Sequence, residues 1–137
     1  MKNRSELREI IMKVIYQVKI LEETNIDYNI EELIHEQLEV KNDFVDSCVN
    51  EIIDNKKSIV SIANKYLKDW KLDRLNKVDQ AILEMGIYEL MYTDTPSVVA
   101  INEAIELSKV YSDEAVTKMI NGVLDKVYHE EVKTDEW

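Results

Sequence analysis

The chain has 137 residues, the size of one domain, with 45% hydrophobic residues, 33% charged residues and a net charge of −11. Its two glycines and single proline are too few for the turns of hairpin and sandwich folds, so the sequence predicts an all-α protein. No stretch approaches the roughly 18 apolar residues of a membrane span. The opening MKNRSELREI lacks the apolar core of a signal peptide, so a cytoplasmic location is expected.

In chain order, Leu7, Ile10, Ile11, Val14, Ile15, Val18 and Leu21 recur at steps of three and four, predicting a first helix over about 4–23. Arg4 and Arg8, four residues apart, share a face beside that apolar stripe. Asn29 followed by Glu32 predicts a capping box opening a second helix, with Ile30, Leu33, Ile34 and Leu38 inward. A third helix from about residue 42 turns Phe44, Val45, Cys48, Val49 and Ile52 inward, and a fourth starts at Ser58. Cys48 is alone in the chain, and its apolar neighbours make it a buried, inert thiol suited to a reducing compartment.

Asn76 and Asp79 predict a second capping box, ahead of a helix over 77–92 that is apolar nearly all round. Such a helix is buried on most sides and serves as a central strut, in which Gly86 permits close approach of a neighbour. Pro96 suits the first turn of the next helix, whose inward residues are expected to be Val99, Ile101, Ala104, Ile105 and Tyr111. A last helix from about residue 114 buries Val116, Met119, Ile120, Val123, Leu124 and Val127, with Asp113 available as its N-cap. The expected architecture is about seven helices in two packed groups, near 1–70 and 71–130, with a loose tail over 131–137.

The charge is unevenly placed. Residues 1–20 carry five bases against two acids, and the remainder carries 12 bases against 26 acids, a net of −14. The acidic whole speaks against a general nucleic-acid binder, while the first helix is the place for any RNA contact. The acidic remainder suits a basic protein partner.

Catalytic signatures are missing from the pattern. His35 and His129 stand far apart with no cysteine pair or helical His–Glu spacing for a metal, and no glycine-rich phosphate loop is present. Nothing sets a nucleophile beside a base, so a binding protein without a cofactor is expected rather than an enzyme.

Three stretches read together resemble the NusB family of bacterial transcription antitermination factors. They are REIIMKVIYQ (8–17), LDRLNKVDQAILEMGIYELMYTDTPSVVAINEAIELSKVY (72–111) and KMINGVLDKV (118–127). The run INEAIELSK with INGVLDK after it is the most specific part. The resemblance implies an all-helical fold of two helical subdomains. It also implies pairing with NusE, a small-subunit ribosomal protein, and binding of boxA RNA in ribosomal RNA leader transcripts, which helps RNA polymerase pass terminators. Catalysis and cofactors have no part in that activity.

Carried over residue by residue, the resemblance assigns RNA contacts to Arg4, Arg8 and Tyr16 in the first helix and to Lys118, Met119 and Asn121 in the last. Arginines fork onto phosphates and a tyrosine can stack on an unpaired base. Partner contacts are assigned to Asp73 and Asp79, acids that suit a basic ribosomal protein. The chain departs from the family pattern at Ser5 and Glu6, where relatives carry more bases. It departs again at Met119, where they carry phenylalanine, and at Ala115–Val116, where they carry Asp-Ser. These departures keep an alternative open: a protein–protein adaptor or homodimer on the same fold with a weakened RNA face. On the sequence alone, alanine at both Arg4 and Arg8 is expected to weaken RNA binding with little effect on stability.

Overall fold

The computed structural model describes residues 1–132, among which lie seven α-helices and no strand. Helix α1 (Arg4–Glu23) opens on a complete capping box. The Asn3 side chain accepts from the Glu6 amide at 2.9 Å, and the Asn3 amide donates to the Glu6 carboxylate at 3.1 Å. Asn3 is therefore the N-cap of its helix, a role usually worth about 0.5–2 kcal/mol, and Glu6 is its capping-box partner. The stripe from Leu7 to Val18 is buried, as the periodicity requires.

Helices α2 (Ile30–Gln37) and α3 (Asp43–Asp54) each begin on an asparagine cap. Asn29 accepts from the Glu32 amide at 3.0 Å, and Asn42 from the Val45 amide at 3.1 Å. Helix α4 (Lys56–Tyr66) follows after Asn55 alone, two residues earlier than its expected start at Ser58. A stretch with one 3-10 turn, Leu72–Arg74, leads into α5 (Lys77–Tyr92), then come α6 (Ser97–Tyr111) and α7 (Glu114–Val127). Pro96 occupies the N-cap of α6 rather than its first turn. Asp113 caps α7 by accepting from the Val116 amide at 2.9 Å, as expected.

Helix α5 is the strut. It packs on α1, α3, α4, α6 and α7, and every residue from Asp79 to Leu90 is buried. At Gly86 a Cβ would meet Leu124 Cδ1 at 3.0 Å and Ala104 Cβ at 3.4 Å, so the missing side chain lets α6 and α7 close on the strut. Four buried polar residues of α5 each find a partner, as burial demands. Asp79 accepts from Ser112, Gln80 donates to the Leu75 carbonyl at 2.8 Å, Glu84 pairs with Lys19, and Glu89 pairs with Arg8. The apolar core runs without interruption from Leu7 to Val127, across the boundary near residue 70.

Three expectations need correction. Asn76 makes no side-chain cap bond, so the predicted box at α5 does not form, because Asp79 turns inward to Ser112. Val99 and Tyr111 lie on the surface rather than in the core. The tail is ordered further than expected. Tyr128–Val132 form a π-helical turn, and Glu131 accepts from Lys65 at 2.8 Å and Tyr66 at 2.5 Å. Residues 133–137 of that tail lie outside the described residues.

Candidate nucleic-acid interface

The residues assigned to RNA fall at three places. At the start of α1, Arg4 is exposed and sets its guanidinium 3.9 Å from the centre of the Phe44 ring, a cation–π contact that orients it. Arg8 lies one turn on and behaves differently. It is 5% exposed, and its guanidinium forks onto Glu89 through Nε at 2.6 Å and a terminal nitrogen at 2.9 Å. The other terminal nitrogen reaches Glu103 at 3.1 Å, and Ser5 donates to the same Glu103 oxygen at 2.6 Å. Burial works against the Arg8 charge, but the Glu89 hydrogen bonds and charge more than offset it, so the group stays ionised. As placed, Arg8 is a component of the α1–α5–α6 core junction. Arg4 is the arginine of the pair that faces solvent.

Tyr16 sits further along α1 and is 36% exposed. It lines a groove with Met12 and Lys13 of α1, Asn76, Lys77 and Val78 at the start of α5, and Tyr111 at the end of α6. The Tyr111 hydroxyl donates to Glu9, and that carboxylate holds the phenol up to about 12. Lys77 pairs with Glu23, whereas Lys13 makes no ion pair among the described residues.

On α7, Lys118 and Asn121 are exposed, and Lys118 makes one loose contact to Glu114 at 3.7 Å. Met119 is half-buried against the core. With Gly122, Val123 and Lys126 it borders a second groove, closed on the far side by Tyr66 and the exposed Trp70. Of the two acids assigned to a partner, Asp73 is exposed on the 3-10 turn, whereas Asp79 is buried and engaged by Ser112. Asp73 can meet a basic partner directly; Asp79 shapes the start of α5.

Sequence reasoning passed over Lys13, Asn76, Lys77 and Tyr111 as neighbours of Tyr16. No local signal could have found them, because the groove joins three helices that are remote in sequence. No group of three or more histidine, cysteine or acidic side chains able to hold a metal occurs among the described residues. Among the described residues no helix is long and apolar enough to cross a membrane.

The protein is an all-helical body built on a buried strut, with Arg4, Tyr16, Lys118 and Asn121 on its outer faces. The model of the NusB family matches residues 5–129. The chain is 36% identical over 129 residues to the transcription antitermination protein NusB of Listeria innocua, an alignment covering 93% of this chain and 98% of the relative. It is 39% identical over 132 residues to that of Clostridium perfringens, covering 92% and 96%. Among solved structures, T. maritima NusB superposes with a TM-score of 0.83 at 29% identity, over 99% of this chain and 98% of the other. A NusB solved with NusE and double-stranded RNA superposes with a TM-score of 0.79 at 26% identity, over 92% and 96%. The chain belongs to the NusB family.

Proposed function

We propose that this chain is an RNA-binding transcription antitermination factor that pairs with a NusE-type ribosomal protein and, with it, holds boxA RNA of ribosomal leader transcripts. In this role it acts in the cytoplasm and touches the RNA polymerase elongation complex only indirectly. The observation that carries the reading is the superposition, over 92% of this chain, on a NusB solved together with NusE and RNA. The charge distribution supports it, since the first 20 residues are net basic in a chain otherwise at −14. Arg4, Tyr16, Lys118 and Asn121 are all on the surface, where nucleotides can reach them.

One observation favours the alternative, a protein adaptor with a weakened RNA face: Arg8 is consumed by Glu89 and Glu103. The two readings part on a three-component chromatography experiment with this chain, a NusE-type protein and boxA RNA. Co-elution of all three supports the antitermination factor. Co-elution of the proteins without RNA supports the adaptor, and separate elution of all components contradicts both.

A further inference from the structure

We propose that the groove beside Tyr16 seats an unpaired RNA nucleotide, with Tyr111 as a second aromatic contact and Asn76 as the residue that reads the base. The proposal rests on the RNA-binding reading above and adds residues to it. The groove gathers what a nucleotide needs in one place. Tyr16 and Tyr111, each 36% exposed, line it with their aromatic side chains, and Met12 and Val78 add apolar lining. Base–aromatic stacking is tolerant of sequence, because every base has a π-face.

Asn76 supplies discrimination. Its side chain is free because the expected cap at α5 does not form, and it is exposed at the groove edge. A primary amide carries both donors and an acceptor, the complement of a base edge. Lys13 has no carboxylate partner among the described residues and lines the same groove, so its charge is available to the flanking phosphate. Glu9 accepts from the Tyr111 hydroxyl and holds the ring in place.

An unpaired nucleotide is the occupant that fits best. An apolar peptide would leave Lys13 and Asn76 unused at the groove, and duplex RNA would keep its bases stacked away from the tyrosines. The stem of Tyr111 ends α6 directly before Ser112, the hydroxyl that binds Asp79. That bond ties the Tyr111 side of the groove to the start of α5.

The test uses the full chain with its NusE-type partner and a short fluorescein-labelled single-stranded boxA RNA, with anisotropy as the readout. Tyr111→Ala should weaken binding about five- to 150-fold, whereas Tyr111→Phe, which keeps the ring, should bind within a few-fold of the parent. Lys13→Ala should lower the salt slope by about one. Asn76→Ala should level the affinities for a set of RNAs that differ at one base while sparing the weakest of them. A 4-thiouridine RNA should crosslink to peptides containing Tyr111 or Asn76 in the unmutated protein, a readout that does not depend on any variant folding. If these variants bind like the parent and those peptides stay unlinked while Arg4→Ala weakens binding, the groove proposal fails and the RNA reading stands. If the unmutated pair binds no RNA, both fail.

Discussion

Arg8 and Glu89 meet as a buried two-bond fork between α1 and α5, 81 residues apart in the chain, with both side chains almost shut off from water. Glu103 and Ser5 extend the fork to α6 and back to α1. A buried pair of this kind need not add net stability compared with an apolar pair, but removing one partner strands a charge.

Arg8→Ala should therefore destabilise the protein by about 3–5 kcal/mol. Arg4→Ala, which loses an exposed cation–π contact, should cost about 1 kcal/mol or less. Chemical denaturation of the two variants checks the contrast. The sequence-based expectation that both arginines can be replaced without loss of stability then holds for Arg4 alone. Equal, small effects would show that the fork is not held in solution.

The two glycines should respond in opposite directions. Gly122 has open space where a Cβ would go and lies mid-helix on the surface, so Gly122→Ala should stabilise by about 0.5–1 kcal/mol. Gly86→Ala gains the same helix propensity but presses on Leu124, itself fully buried, and the crowding should outweigh the gain. Thermal melting of both variants gives the signs directly.

Cys48 is buried, and its thiol is pushed up to about 11, first by burial and then by the Glu89 charge. Alkylation at neutral pH should run at the rate of global opening, many-fold slower than in the denatured chain. Modification as fast as that of a free cysteine would contradict the packing of α3 on α1.

The C-terminal turn should loosen in acid. The Lys65 hydrogen bond, and next the Tyr66 hydroxyl, hold Glu131 below the ordinary glutamate range. A carboxylate lowered in the folded state contributes stability that is fully present above its unfolded pKa, about 4.3. That contribution is lost as the pH falls through the lower folded value. Amide resonances of residues 128–132 should shift toward unstructured positions over that acid range, and Glu131→Gln should remove the step.

Most of the fold was legible because helix periodicity is a local property. The bounds of α1, α5 and α7 follow from apolar steps, and Asp113 could be named as a cap from its position alone. The destinations of polar residues were not legible. A sequence shows Arg8 beside the apolar stripe, but not that Glu89 waits across the α1–α5 interface. Asp79 was read as a capping-box acid and as a partner contact, and the bond it makes, to Ser112, depends on how α6 ends. Tyr111 reads as core because it is a large side chain on a helix that mixes apolar and polar residues, and only packing shows which face α6 turns outward. The Tyr16 groove is assembled from α1, α5 and α6, so no window of sequence contains it.

The exposed basic and aromatic face of this chain is proposed to bind RNA when its ribosomal-protein partner is present. Anisotropy of labelled boxA RNA, titrated with the chain alone and with NusE at several salt concentrations, tests it most directly. Binding should be weak for the chain alone and tighter with the partner, with a steep salt dependence that flattens by about one unit of slope in Arg4→Ala. A complex with NusE that adds no RNA affinity at any salt would contradict it.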